Sequence, residues 1–506
     1  FKFSLLLILS FILIFLVKSF IYNIYFIFVL VVCYFFIMFL CLFYLGFVGD
    51  FIMRGGFEVC EKFILEKMRE GRLPGLSICV VEGDGVSYLR GFGFRDLEFG
   101  VSVSPRTLFG IGSVTKSFTA LATLKLVEDG RISLDDVVDK YVSLNIKPFG
   151  EDIRIHHLLT HSSGIPALAY AEAFIRSVLE LDGGWLPVSC AEDVITFMSD
   201  AKDWVYCRPG ERFFYLNEGY VLLGRIIGRV SGLSYEDYVK RNILKPLRMD
   251  RSYFFRDEVE GDGDFATPYI IDREGRHVRS RFPFGITADG GLISNVIDLS
   301  NYIRMYLNRG EFEGVRIIGG DMIDLMFKEH IWRYDGFFGS EYYGYGWGIV
   351  SDFYGHKLIN HSGSVLVHTA YVGFIPDRRI GVAVLANASG YPLSNIGMYI
   401  LAYLLGRDPE KLPFIERDRI IGRLEGVYET YKGTMRVEVK RAGNLLMVKS
   451  RDRLTETTWI LVPDEISVDK CRFYMFWNWR KIDVEFNIKD DRVELILERY
   501  RLIKKS

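Results

Sequence analysis

The sequence predicts an α+β fold followed by a separate all-β tail. Apolar strand patterns occur near residues 76–94 and again near residues 368–389, with helical patterns between them, which favours one antiparallel sheet assembled from distant segments. Beyond Leu405, apolar and polar residues alternate between turn residues, as in half-buried strands. The 506 residues also exceed the ~250–300 at which a single hydrophobic core stops growing. We therefore expect at least two domains.

Four local patterns predict the elements of the mixed region. Apolar residues recur at helical spacing from Phe57 to Met68, and Pro74 follows, which predicts a first helix. The stretch LSICVVEGDGVSYLRGFGF predicts two strands joined by a Gly-Asp-Gly turn. The stretch LFGIGSVTKSFTALATLKLVEDG predicts an amphipathic helix that ends at Asp129-Gly130. Further on, HTAYVGFIPDRRIGVAVLANAS predicts two more strands around a Pro-Asp turn.

The tail is expected to form a small antiparallel β-barrel. The stretch RDPEKLP has the composition of a linker, and KIDVEFNIKDDRVELILERY alternates apolar and polar residues, so that Ile482, Val484 and Phe486 share one face of a strand. We place the domain boundaries at residues 1–52 for a hydrophobic segment, 53–408 for the mixed domain and 412–506 for the barrel.

The first fifty residues are almost uninterrupted apolar sequence. Residues 3–17 and 19–48 are separated by Lys18, and the second run exceeds the ~20 residues that span a bilayer. A cleaved signal peptide fits poorly, because no small-residue cleavage site closes the first run. Two hypotheses remain open: a transmembrane anchor through residues 3–48, or misassigned upstream sequence with initiation at Met53. The first predicts a membrane-anchored protein and the second a cytoplasmic one.

Charge and cysteine content exclude several classes of function. The formal net charge is −2 and no basic run stands out, which argues against a nucleic-acid partner. The seven cysteines are scattered singly, without a Cys-x-x-Cys pair for zinc or a dense disulfide framework, and are expected to be small core residues.

Ser113 and Lys116 form a candidate catalytic pair at the head of the amphipathic helix. A serine hydroxyl is a weak nucleophile until a neighbouring base accepts its proton, and residues i and i+3 share a helix face. Because a free lysine is protonated at neutral pH, the role of base requires burial or a suitable polar neighbour. The spacing alone is not specific, since it also occurs at Ser199/Lys202 and at Ser467/Lys470.

Two further motifs accompany Ser113-x-x-Lys116 in order along the chain, namely Tyr215-x-Asn217 and His361-x-Gly363. Together with IRIHHLLTHSSGIP, TADGGLISNVIDLSNYI and YGYGWGI, they make residues 57–405 resemble the serine β-lactamase-like family of penicillin-recognising enzymes. The likeness is greatest to the branch of class C β-lactamases, D-aminopeptidases and archaeal peptidases of the CubicO type. The resemblance implies a β-lactamase/transpeptidase-like domain, and the tail resembles the lipocalin-like barrel of that peptidase branch.

The residues and the resemblance together suggest a role for each motif. Lys116 and Tyr215 would act as a coupled base and acid, with the division between them left open. Asn217 would donate its amide to a substrate carbonyl. His361 stands where the family carries lysine or histidine, and would act either as a charged clamp for a substrate carboxylate or as a neutral hydrogen-bonding group.

The same resemblance implies an oxyanion hole beside the third motif. Gly363 would let the substrate backbone approach closely, and the N–H groups of Ser364 and Ser113 would bind the oxyanion. No metal or organic cofactor is required for this chemistry. His157 and His161 lie four residues apart and could chelate a metal on a helix, but without a third ligand in the pattern we expect them to be structural.

Two positions depart from the pattern of the family. Leu216 stands in the middle motif where a serine is frequent, and Val367 replaces a glycine that commonly follows Gly363 by four residues. Val367 is predicted to narrow the cleft beside the strand that lines the site. The aromatic stretch EYYGYGWG fits a cleft lining and core packing equally well.

The sequence therefore predicts a serine hydrolase that works through an acyl-enzyme. Its expected substrates are short or D-residue-containing peptides, which makes it a peptidase or amidase acting on a small-molecule or short-peptide substrate. Esterase or β-lactamase activity on the same machinery is the nearest alternative. A membrane-bound sensor that is acylated without turnover is an alternative of another class. A homo-oligomer is compatible with the sequence.

Overall fold

The computed structural model describes residues 56–181, 186–285, 287–489 and 492–505. The chain divides into two compact units, one that ends at Leu401 and one formed by Ala402–Ser506. The first unit carries the three motifs and mixes helices with sheet, and the second is mainly strand. The predicted α+β class with a β-barrel tail is confirmed.

Helices make up most of the middle of the first unit. In chain order, the α-helices of the described residues are α1 Glu58–Glu70, α2 Thr115–Glu128, α3 Ile155–Leu159, α4 Tyr170–Val178, α5 Ala191–Met198, α6 Asn217–Ser231, α7 Tyr235–Val239, α8 Arg256–Asp262, α9 Val296–Leu307, α10 Gly320–Met326, α11 Leu393–Leu404 and α12 Pro413–Leu424.

The first unit is built on one nine-stranded sheet. Its strands and the short pairs around it are β1 Gly75–Glu82, β2 Gly85–Asp96, β3 Val101–Ser102, β4 Phe109–Gly110, β5 Tyr269–Ile271, β6 His277–Arg279, β7 Ile293–Ser294, β8 Glu311–Phe312, β9 Val315–Arg316, β10 Ile331–Gly336, β11 Gly339–Tyr343, β12 Gly348–Phe353, β13 His356–Ser364, β14 Thr369–Ile375 and β15 Ile380–Ala386. The spatial order is β10-β11-β12-β13-β14-β15-β1-β2-β3. Antiparallel pairing of β1 with β15 joins the two ends of the unit, as the sequence predicts.

Helix α2 is buried on almost all sides, whereas the sequence predicts an amphipathic helix. Its apolar residues pack in the main core, and its hydroxyl-bearing residues are buried as well. These hydroxyls find partners inside the protein: Ser117 donates to the carbonyl of Val114, and Thr119 donates to the carbonyl of Ala288. A buried polar group is tolerated when it is hydrogen-bonded, so the polar positions of α2 need no contact with solvent. The helix that carries Lys116 is therefore a fixed element of the core.

The second unit is a closed barrel of eight antiparallel strands. These are β16 Gly426–Glu429, β17 Arg436–Ala442, β18 Leu445–Arg451, β19 Glu456–Ile466, β20 Lys470–Trp477, β21 Arg480–Lys489, β22 Arg492–Leu497 and β23 Tyr500–Lys504. Each strand pairs with the next along the chain, and β16 pairs with β23 to close the barrel. Helix α12 precedes the barrel and contributes Ile421 and Leu424 to its core. No helix was predicted here, because Pro413 belongs to a stretch with the composition of a linker. Proline is also common at the first position of a helix, which is where it lies in α12.

No helix among the described residues is long and apolar enough to cross a membrane. The predicted anchor in residues 3–48, and the alternative start at Met53, lie outside the described residues and stay predictions.

Candidate active site

Ser113 lies in a 3₁₀ turn, Gly112–Val114, that leads directly into α2. Lys116 belongs to the first turn of α2, so its side chain reaches back over Ser113. The Nζ of Lys116 is 3.1 Å from the Oγ of Ser113, and the lysine side chain is fully buried. The structure thus brings the predicted nucleophile and the predicted base into hydrogen-bond contact.

The amine of Lys116 is held by two more oxygen atoms. It donates to the side-chain oxygen of Asn217 at 2.8 Å and to the backbone carbonyl of Asp289 at 2.6 Å. It also lies 4.9 Å from the ring centre of Tyr215, over its face, and 5.6 Å from that of Tyr220. Once Lys116 gives up a proton, its two remaining N–H groups can stay bonded to Asn217 and Asp289. The lone pair is then directed at Ser113, which is the geometry that a general base requires.

Two glycines let strand β13 approach the turn that carries Ser113. A Cβ at Gly363 would lie 1.9 Å from the carbonyl oxygen of Ile111 and 3.0 Å from the N of Ser113. A Cβ at Gly112, which has a φ of +52°, would lie 2.6 Å from the N of Ser364. Gly363 therefore makes room for the nucleophile turn, and the predicted approach of a substrate backbone at this residue stays a prediction. The backbone N–H groups of Ser113 and Ser364 thus both lie where strand β13 crosses the nucleophile turn.

His161 holds the backbone of the middle motif in place, a role that no sequence pattern indicates. Its Nδ1 accepts the N–H of Leu216 at 2.9 Å, and its ring lies 4.2 Å from the ring of Tyr215, centre to centre. Burial lowers the pKa of His161 well below its usual value, and Lys116 and His361 act in the same direction. A neutral His161 thus fixes the backbone between Tyr215 and Asn217. The backbone of His161 has a positive φ of +56°, and no pattern in the sequence predicts this conformation.

Tyr215 and Asn217 are presented at the start of α6. Asn217 is the first residue of that helix, and its amide nitrogen is 3.5 Å from a carboxylate oxygen of Glu172. The hydroxyl of Tyr215 is buried, and the described residues offer it no hydrogen-bond partner. A hydroxyl with no protein partner remains available to Ser113 or to a substrate.

His361 is buried behind the site. Its Nδ1 lies 2.7 Å from the carbonyl oxygen of Ser362, which can only accept, so Nδ1 carries the proton. Its Nε2 then accepts from the hydroxyl of Tyr343 at 3.0 Å. Burial lowers the pKa of His361 to about 3, and the charge of Lys116 opposes protonation further. The ring is therefore neutral at physiological pH, which favours the hydrogen-bonding role over the charged clamp.

A cavity of about 340 Å³ opens above Ser113. It is lined by Ser113, Tyr170, Ala171, Glu172, Phe174, Ile175, Arg176, Tyr215, Asn217, Pro283, Asp289, Gly290, Gly291, Ser364, Val365 and Leu366. One wall is apolar and comes from α4 and from the turn after β13. This volume is at the lower end of the range of small-molecule sites.

Buried carboxyl groups stand next to this cavity. Burial raises the pKa of Asp289, although Lys116 opposes the shift, and its side chain is hydrogen-bonded with Tyr170. Burial also raises the pKa of Glu218 to about 7, and one of its oxygens accepts the N–H of Tyr170 at 3.2 Å. The other oxygen of Glu218 has no hydrogen-bond partner among the described residues. No sequence pattern indicates a role for these acids, because nothing in their local spacing distinguishes them.

Other predicted features lie away from the cavity. Val367 is buried in an apolar cluster with Leu108 and Ile293, so it does not narrow the cleft. Trp347, in the aromatic stretch, packs in the main core. Ser199 is exposed and donates to the carbonyl of Thr196.

Comparison with known proteins places both units. The sequence model of the family described as Beta-lactamase matches residues 61–405, and that of the Pab87 octamerisation domain matches residues 409–503. Protein flp of Staphylococcus aureus is 29% identical over 333 residues, which cover 65% of this chain and 62% of the relative. This chain thus spans less than two thirds of the length of that relative.

Two other proteins are similar over more of their length. Penicillin-binding protein 4* of Bacillus subtilis is 27% identical over 440 residues, which cover 82% of this chain and 90% of the relative. The solved structure of the octameric penicillin-binding protein homologue from Pyrococcus abyssi is 52% identical, with a TM-score of 0.86. The match covers 89% of this chain and 100% of that chain.

Proposed function

The chain belongs to the β-lactamase family of serine hydrolases, and we propose that it cleaves amide bonds of short peptides, D-residue-containing peptides included, through an acyl-enzyme on Ser113. The observation that carries this proposal is the 3.1 Å contact between Ser113 Oγ and a lysine amine that is buried and held by two further acceptors. A serine with this partner can be deprotonated as it attacks.

We assign one group or pair of groups to each chemical step. The Oγ of Ser113 bonds to the substrate carbonyl carbon while its proton passes to the Lys116 and Tyr215 pair. The N–H groups of Ser113 and Ser364 stabilise the oxyanion. The pair then protonates the leaving nitrogen as the C–N bond breaks. A water molecule then gives a proton to the same pair as its oxygen attacks the acyl carbon. The pair returns that proton to Ser113 Oγ as the ester C–O bond breaks, which releases the acid and restores the free serine.

His361 supports this chemistry as a neutral group. Its ring is linked to Tyr343 and lies 6.3 Å from the ring of Tyr215, centre to centre, so it helps to fix the wall next to Tyr215. It is thus a positioning residue in this proposal.

The cavity favours small substrates with an apolar side chain. Phe174, Ile175, Val365 and Leu366 supply an apolar wall, and the amide of Asn217 stands ready for a substrate carbonyl. A short peptide or a single aminoacyl amide fills a space of this size better than an extended chain.

A substrate panel tests the proposal. We expect D- and L-aminoacyl amides and short peptides to be turned over with kcat/KM at least tenfold above short esters and a cephalosporin. The reverse order would favour the esterase or β-lactamase alternative. The sensor alternative predicts a stoichiometric burst of product followed by none, whereas continued turnover after the burst excludes it.

We also propose that the chain works as a homo-oligomer assembled through its tail, with eight copies in the complex. The support is the match of residues 409–503 to an octamerisation domain and the similarity to an octameric homologue along the whole length of that protein. Sedimentation velocity of the full chain tests it: a mass of eight chains is expected, and a monomer at micromolar concentration would contradict it.

A further inference from the structure

The turns at one end of the barrel carry exposed apolar side chains. Because neighbouring strands run antiparallel in chain order, alternate turns lie at the same end. The turns β16–β17, β18–β19 and β20–β21 share one end, and they present Tyr431 at 81%, Leu454 at 89% and Trp479 at 97% exposure. We call these three residues, with Phe476 and Trp477, the apolar end of the barrel.

The hairpin β20–β21 presents its aromatic residues at a cost in backbone energy. Trp477 pairs with Arg480, so Asn478 and Trp479 form a two-residue turn with φ values of +47° and +65°. Glycine is the usual second residue of such a turn, because a side chain in this left-handed region costs roughly 1–2 kcal/mol. A strained and almost fully exposed tryptophan is a feature that folding does not explain.

A cavity opens beside this hairpin at the edge of the barrel core. Its volume is about 130 Å³, and it is lined by Met435, Trp459, Met475, Trp477, Ile482, Leu497, Glu498 and Tyr500. The indole N–H of Trp459 is buried and has no acceptor among the described residues. An unsatisfied buried donor is unfavourable, and a backbone carbonyl oxygen of another chain whose turn reaches the cavity would satisfy it.

The charges next to the cavity complement those next to the turn. Arg480 and Lys481 follow the strained tryptophan, and Glu498 lines the cavity. Both features belong to the same end of the barrel, so a two-fold contact would bring the turn of each copy to the cavity of the other. Exposed tryptophans that enter such depressions are typical of the residues that dominate interface energies.

We propose that the apolar end of the barrel is an interface with a second copy of this chain, in which Trp479 of each copy packs at the Trp459 cavity of the other. This inference rests on the assembly proposed above and adds the surface and the anchoring residue. The occupant is a second copy because the tail matches an octamerisation domain. Several large apolar side chains exposed at one end of a domain are typical of an interaction site.

The substitution Trp479→Gly tests the interface without endangering the fold. Glycine relieves the left-handed backbone, so the barrel should fold at least as well, while the proposed anchor is removed. We expect the concentration at which the complex dissociates, measured by sedimentation over a dilution series, to rise at least tenfold. Circular dichroism should report an unchanged strand content.

Val468→Ser is the matched control. Val468 is 61% exposed in the turn β19–β20 at the opposite end of the same barrel, and its replacement should leave the dissociation concentration unchanged. An assembly that is as stable in Trp479→Gly as in wild type would overturn the interface and leave the assembly standing. A wild-type chain that is monomeric throughout the series would overturn both.

Discussion

At the scale of single residues, Lys116 is the centre of the site because one buried amine contacts a hydroxyl, an amide oxygen and a backbone carbonyl. Methionine is unbranched and one atom shorter than lysine, so the replacement keeps most of the side-chain volume and removes the base. We expect Lys116→Met to lower kcat/KM by about 10²–10⁴, the usual contribution of a general base. Lys202→Met, in the exposed Ser199/Lys202 pair, should retain wild-type activity; equal losses in the two variants would refute the assignment.

Glu218 gives a second residue-scale prediction, on stability. Burial raises its pKa from 4.5 to about 7 in the folded state, so the folded protein binds a proton that the unfolded chain has released. Stability is therefore lost as pH rises from about 4.5 to 7. Glu218→Gln removes this penalty and should raise the free energy of unfolding at pH 8 by ~3 kcal/mol more than at pH 4.5.

Urea unfolding of Glu218→Gln and wild type at the two pH values measures this difference. The amide oxygen of glutamine can still accept the N–H of Tyr170, so the local geometry should be kept. The same change in stability at both pH values would show that the carboxyl group of Glu218 titrates normally.

The residue scale also shows what sequence reasoning can and cannot reach. The contacts among Ser113, Lys116 and Asn217 follow from ordered motifs whose chemistry needs them together. The carbonyl of Asp289 could not be predicted, because a backbone oxygen has no signature in residue types. Nor could the contact of Tyr343 with His361, since the aromatic stretch that holds it suits core packing equally well.

At the scale of elements, the crossing of β13 over the nucleophile turn decides the geometry of the site. In Gly363→Ala the new Cβ would meet two backbone atoms that cannot move aside, so the turn or the strand must shift. Overpacking of this kind costs about 1–3 kcal/mol. We expect acylation of Ser113 to slow at least tenfold.

Gly85 is the matched control for this substitution. It also lies in a strand of the main sheet, and a Cβ there would meet no atom within 4 Å. Ser113 in Gly85→Ala should be acylated at the wild-type rate. Stopped-flow spectroscopy with a chromogenic substrate measures this rate in both variants. Wild-type acylation in Gly363→Ala would mean that the crossing tolerates a methyl group.

Elements were predicted best where a local pattern coincides with a tertiary role. The strands β1, β2, β14 and β15 follow from apolar runs and their turns. Helix α12 was not predicted, because Pro413 is compatible both with a linker and with the first position of a helix. The burial of α2 on almost all sides was not predicted either. Its hydroxyl-bearing residues look polar in the sequence but donate hydrogen bonds to backbone carbonyls in the fold.

At the scale of the whole molecule, the chain contains several histidines whose partial or complete burial keeps them neutral. Burial lowers the pKa of His361 and His368 to about 3 and that of His157 and His330 to about 4. The unfolded chain binds protons at these positions below about pH 6.5, so stability should fall as pH drops through the window from 6.5 to about 3. Glu218 acts in the opposite direction between pH 7 and 4.5, but it is one group against four. We expect the melting temperature to decrease from pH 7 to pH 5.5, and a flat profile there would contradict this.

The division into two units leads to a prediction for truncation. Every residue that lines the Ser113 cavity belongs to the unit that ends at Leu401. A chain that ends at Pro409 should therefore still be acylated at Ser113 and should lose assembly, as measured by active-site titration and light scattering. A truncated protein that is folded but cannot be acylated would show that the tail completes the site.

The intact mass of the protein after reaction with a fluorophosphonate tests directly whether Ser113 is the nucleophile. We expect one adduct per chain in wild type, on a peptide that contains Ser113, and no adduct in Ser113→Ala. An adduct that persists in Ser113→Ala, or that maps to Ser199 in wild type, would contradict it.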